Sequence, residues 1–442
     1  MSTEAKSLTI EGGYTPDCVS QVVDHSNTIL DGQGTDRVLT LVSQNGGDFT
    51  LKGLTFQNGY FISSEEDGGG GLKTRTSGNV HLEDNKFFSN AAFPYGGGAL
   101  LLEGPSLIIN NEFIENTTVD LTNISKDVAG IKSNFPTGKD SFAKILEQPN
   151  RGNFKYTPTS GGAGIYIEKG LCTLQNNVFA KNSADSGGGV NIEEGPSSLV
   201  NNVFSQNSCN GTWGGAGAFV YGQSNLSDNV FISNNCDNIN ECCSGGGALI
   251  FPWDGGTSQL NDNIFIGNVS DNSGGGLLLF ESRVGQSILN NNIFIENYGK
   301  QGGGADVFNC YVSKNSFIRN SANEGGGLRI LASSFLANNE FRRNMAKDGG
   351  GIKIWQSTQI SESAGPCALI NNTLSCNKAS NGGGLYVRLD YQEAIANFYN
   401  NIVWKNIAPQ GSDFYIDNTG DDPYFPAQVD LYNNDFDQSS SG

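Results

Sequence analysis

Asp306, Arg329 and Lys353 stand at the same offset after three successive glycine clusters, and Tyr386, Arg388 and Asp390 follow the next cluster. An Arg or Lys in such a row has the chemistry to take the proton α to a uronate carboxylate while a cation neutralises that carboxylate. The alternative is a solvated ladder of ion pairs, which stabilises weakly. Asp306 is the single central acid, so a calcium cage is thinly supplied, and nothing else in the sequence implies a metal or an organic cofactor. Glu168 and Glu193 occupy equivalent positions of adjacent units, where two carboxylates could reach the roughly 5–9.5 Å separation of a glycosidase pair. His25 and His81 lie far from either set, which leaves a Ser-His-Asp arrangement without its base. Of the nine cysteines, Cys209 and Cys236 hold one position in successive units, with Cys242 and Cys243 in the enlarged turn after Cys236. A disulfide is expected among these four, and the cysteine spacing fits no zinc site.

These residues are placed by a repeat. Segments such as NNEFIEN ending at Asn116, NNVFSQN at Asn207, NNIFIEN at Asn297 and KNSFIRN at Asn320 recur eleven times between Asn90 and Asn406. Counting the Phe position as zero, Asn stands at −2 and +3 in every copy and an apolar residue at −5, from Leu82 and Ile108 to Phe398. Glycine clusters follow, among them Gly274–Gly276, Gly302–Gly304 and Gly349–Gly351, and the mean unit from Phe179 to Val403 is 28 residues long. Short alternating runs such as Val190-Asn191-Ile192-Glu193 read as strand, and no sustained helical period competes. One set of short strands per turn, stacked in register, gives an all-β parallel β-helix of about 12 coils. The Phe and −5 positions then form core columns, glycines mark corners of close backbone approach, and the repeated Asn sits at left-handed turns with its amide bonded along the axis.

Alternation along the strand after each glycine cluster assigns an outward face. Its second row reads Tyr221, Phe251, Phe280, Phe308, Leu331 and Trp355 over six successive coils, broadened by Trp253. At about 4.8 Å per coil the strip is about 24 Å long, more apolar surface than a monomer normally exposes. It suits stacking on the sugar rings of a polysaccharide, or contact with another protein or a second copy. It also suits an intrachain cover, and a register slip of one residue would bury the whole row.

A net charge of −19 excludes nucleic acid as a partner and disfavours an anionic membrane surface, while no apolar run is long enough to insert as a helix. The pairing of F-x-x-N with G-G-[AG]-[ILV], as in Phe204–Asn207 and Gly246-Gly247-Ala248-Leu249, resembles chlamydial polymorphic outer-membrane proteins and related bacterial surface β-helix proteins. That resemblance implies a right-handed helix, export and display at the cell surface. Met1-Ser2-Thr3-Glu4-Ala5-Lys6 lacks the apolar core of a signal peptide, so the chain reads as a mature or excised fragment. Residues 1–50 are expected to form an N-terminal cap and first coils, 51–410 the repeat domain with an insertion at 117–160, and 411–442 a C-terminal cap or tail. The insertion suits either a lid or a surface excursion. The expected function is adhesion or structural assembly through the aromatic strip; a lyase for acidic glycans using Arg329 or Lys353, or a filament subunit, are the alternatives.

Overall fold

The computed structural model describes residues 5–15, 17, 19–22, 24–62, 67–118, 161–237, 243–252, 256–280, 285–356, 366–390, 394–417 and 428–437. Trp253, Cys242 and all but the first two residues of the expected insertion lie outside these; those two, Thr117–Thr118, form a short strand. The chain forms two compact units, the second built mainly from residues 220–237 and 243–442. Each is a parallel β-solenoid. Among the described residues the Phe-bearing sheet has six strands in the first unit, from Ile29–Asp31 to Val203–Ser205, and eight in the second, from Val230–Ile232 to Asp435–Phe436. The strands Ile29–Asp31, Thr55–Gln57 and Asp435–Phe436 lack the complete F-x-x-N signature, so the sheet extends beyond the eleven repeats read in the sequence, and the solenoid is the expected one of about 12 coils.

One coil of the second unit shows the plan. Ser287–Asn290 belongs to a leading sheet, Ile293–Ile295 to the Phe sheet and Tyr298–Gln301 to a short sheet. Gly302–Gly304 turns the corner into Ala305–Phe308 of the glycine sheet. Each strand pairs in parallel with its counterpart one coil on, as Ile293↔Ser316 and Ala305↔Leu328 do. Phe residues therefore land on one another. The rings of Phe231, Phe265, Phe294, Phe317 and Phe341 stack 4.7–4.8 Å apart, nearly parallel, and are fully buried. Burying each contributes about 2–3 kcal/mol.

The Asn pairs hold the corners. In Asn320 the backbone N–H and Nδ2 both donate to Asn344 Oδ1, at 2.9 and 3.1 Å, and Nδ2 also donates to Phe294 O. Its own Oδ1 accepts the same two bonds from Asn297. Asn315, at the other end of the same strand, repeats the pattern with Asn292 and Asn339. Left-handed backbone falls one residue earlier than expected, at Lys314 (φ 57°) and Arg319 (φ 55°) rather than at the Asn. That residue reverses the chain so that the following amide points inward.

The corner glycines answer to two different demands. Gly325 is left-handed, with φ +63°, whereas at Gly326 an added Cβ would lie 2.5 Å from the carbonyl oxygens of Gly350 and Met345. Neither obstacle is a movable side chain. Gly326→Ala is expected to destabilise the second unit by about 3 kcal/mol, measured by chemical denaturation. At the last glycine-sheet corner Gly411 is followed by Ser412 and Asp413 instead of two glycines. The Asp413 carboxylate accepts Asn406 Nδ2 at 3.0 Å and the Asp437 N–H at 2.8 Å, ending that Asn ladder.

Candidate functional site

The outer side of the glycine sheet in the second unit has the register that alternation assigns. Leu278 pairs with Asp306, Asp306 with Arg329, Arg329 with Lys353 and Lys353 with Tyr386. In the second row Phe308 pairs with Leu331, Leu331 with Trp355 and Trp355 with Arg388. Solvent exposure departs from the expectation. Phe280 is 3% exposed, Phe308 and Leu331 4% each, while Tyr221, Phe251 and Trp355 are half-buried. The row is therefore covered at Phe280, Phe308 and Leu331 and only partly open at Tyr221, Phe251 and Trp355. Its rings also face the wrong way for sugars. Tyr221 stacks on Phe251 at 5.5 Å and Phe251 on Phe280 at 5.2 Å, 14° and 18° from parallel, so ring faces meet neighbouring rings along the axis. A sugar ring needs such a face presented to it.

The charged row is tied together in the same layer. Arg329 grips Asp306 with two parallel bonds, Nε to Oδ1 at 3.0 Å and Nη2 to Oδ2 at 2.6 Å. Their side chains are 4% and 1% exposed. Glu324, at the preceding corner, takes Arg329 Nη1 at 3.2 Å on one oxygen and Lys353 Nζ at 2.9 Å on the other. Lys353 reaches Asp348 at 3.7 Å and sits 4.9 Å above the Tyr386 ring. Further along, Tyr386 donates to Asp417, and Asp390 accepts Trp355 Nε1 at 2.8 Å together with Arg388 Nε.

Burial alone would pull the Arg329 guanidinium down, but the Asp306 and Glu324 carboxylates outweigh it and hold the group above its ordinary value. Burial likewise pushes the Glu324 carboxyl up, and Lys353 and Arg329 more than reverse this, holding it below the usual 4.5. A carboxyl depressed in the folded state contributes stability above its unfolded value and loses it as pH falls through the folded one. Denaturation midpoints taken from neutral pH downward should therefore fall more steeply for the natural chain than for Glu324→Gln, which has no proton to gain.

The remaining candidates are placed as follows. Glu168 and Glu193 extend neighbouring strands of the first unit, whose Ile167 and Ile192 pair directly. His25 and His81 lie 3.9 Å and 3.6 Å from the carboxylates of Glu112 and Glu83. The disulfide expected in the cysteine-rich turn joins Cys236 to Cys243; Cys209 is a buried thiol of the first unit.

A second face went unread in the sequence. On the outer side of the Phe sheet, residues flanking the core Phe form two columns, Val230, Ile264, Ile293 and Ile232, Ile266, Ile295, over three paired coils. Ile293 is 37% exposed and the other five are half-buried. The signal was present in DNVFISN, DNIFIGN and NNIFIEN, where β-branched residues stand on both sides of Phe. A strand apolar at every position reads as buried on both faces, which concealed the open one.

Fold and faces together define a parallel β-solenoid with an ion-paired, covered face and a flat aliphatic one. No family model matches the chain, and no curated protein sequence matches it. Among solved structures it is similar to a crystal structure of the periplasmic alginate epimerase AlgG, with a TM-score of 0.43 and 12% identity over 90% of this chain and 78% of that one. At that level the likeness assigns neither substrate nor mechanism. No helix among the described residues is long and apolar enough to cross a membrane.

Proposed function

We propose that the chain is an exported contact module, an adhesion or assembly component that engages another surface protein, and not an enzyme acting on glycans. The observation that carries this reading is the pair of hydrogen bonds from Arg329 to Asp306, with both side chains buried. A lyase base must shed its charge and meet substrate. Arg329 is held charged by two carboxylates, and both nitrogens facing Asp306 are occupied. The Cys236–Cys243 disulfide supports an oxidising compartment, in keeping with the export that the F-x-x-N and G-G-[AG]-[ILV] resemblance implies. Incubation of the full chain with a panel of uronate-containing polysaccharides should yield no unsaturated product absorbing in the ultraviolet. Product that disappears in Arg329→Lys or Lys353→Ala would overturn the proposal in favour of the lyase.

A further inference from the structure

The contact reading leaves open which surface engages and what it engages. In the apolar row on the glycine sheet Phe280, Phe308 and Leu331 are buried, whereas none of Val230, Ile232, Ile264, Ile266, Ile293 and Ile295 is, and these six form a continuous face of the Phe sheet. The two columns stand two residues apart along each strand, about 7 Å, and run across three coils at about 4.8 Å per step. The strands carrying them pair on both sides within the sheet, so a partner cannot add a strand there and must dock through side chains. Among the described residues, the same three coils carry Asp228, Asp237, Asp262, Asp271 and Glu296 against the ammonium of Lys300, a balance of four negative charges. On the next coil Arg319 is taken by Glu296 at 2.8 Å, and Lys314 supplies one more positive charge.

Resting on that contact reading, we infer that this face of the second unit docks a cationic amphipathic helix of a protein partner. The helix would lay its aliphatic stripe on the Val/Ile columns and set Lys or Arg against the flanking carboxylates. Ridges of side chains on a helix repeat at a pitch of about 5.4 Å, near the coil spacing, so successive turns can seat on successive coils. A second copy of this chain fits less well, because it would bring the same carboxylates and its own share of the −19 net charge to the interface. An anionic lipid surface is disfavoured for the same reason.

The probe is a fluorescent helical Leu/Lys peptide, titrated against the full chain by anisotropy, with a Leu/Glu peptide of the same pattern as control. The Leu/Lys peptide should bind and the Leu/Glu peptide should not. Ile264→Ser with Ile266→Ser should weaken binding at least tenfold, and Asp228→Asn with Asp262→Asn severalfold, the latter difference vanishing at high salt. These side chains project outward, so denaturation midpoints of the variants should match the natural chain; should the double Ile variant unfold, Ile293→Ser alone must still weaken binding. No binding to the natural chain, equal binding to Ile264→Ser/Ile266→Ser, or light-scattering evidence of dimers that dissociate in that variant would each overturn the inference. The contact reading fails separately, through polysaccharide turnover that the Phe-sheet variants leave untouched.

Discussion

Asn320→Ala will lower the unfolding free energy of the second unit by about 4 kcal/mol, among the largest losses available to a single polar substitution in this chain. Asn320 is fully buried, and its amide serves three neighbours. Removing it leaves the Asn297 N–H and Nδ2 without the acceptor they share and takes a donor from the Phe294 carbonyl. Each buried group stranded in this way costs about 1–3 kcal/mol. Asn320→Asp separates the two roles of the amide. It keeps the acceptor for Asn297 but turns a carboxylate toward Asn344 Oδ1, which accepts hydrogen bonds and offers none from that atom. At neutral pH the Asp variant should be no more stable than the Ala variant and should recover as the carboxyl protonates. Chemical denaturation at two pH values checks both, and an Asp variant as stable as the natural chain at neutral pH would show that the donor half of the ladder contributes little.

Arg329→Met should cost about 3–5 kcal/mol, the usual consequence of leaving a buried charge without its partner. Asp306 is left 1% exposed with both oxygens stripped of the guanidinium. Pairing the change with Asp306→Leu should return most of the loss, because well-packed apolar groups replace buried ion pairs at little net cost. Lys353 retains Glu324 in the double variant. Recovery identifies the pair as part of the packed layer. A single variant that keeps its stability while abolishing a measured turnover would instead make Arg329 a participant in chemistry.

The solenoid was legible because its rules are local and repeated. Asn at −2 and +3 and Phe at zero impose one geometry on every coil, and pairings such as Phe294 on Phe317 follow from aligning the sequence with itself. The register of the outward rows was legible for the same reason. Whether the outward side meets water was not, because alternation specifies direction and not what lies beyond: Phe280 and Phe308 point away from the core column and are buried all the same. Identical residue types also conceal opposite circumstances. Arg329 at 4% exposure and Arg319 at 49% occupy the same repeat and both pair with acids, yet only the first is locked in a covered layer. The Val/Ile face was missed for the converse reason, an apolar pattern that signals burial and here stays open.

Asp413 bears on how a chain of this kind can change length in evolution. Across the regular corners the third glycine is required by the carbonyl of the coil above, as at Gly384, where an added Cβ would lie 2.6 Å from Asp413 O. A unit copied into the interior inherits glycines above and below it and can be accommodated at once. At the corner of Ser412 and Asp413 the same duplication fails, because a side chain occupies the space the new carbonyl would need. A lineage that lengthens the array at that corner must first restore glycine there.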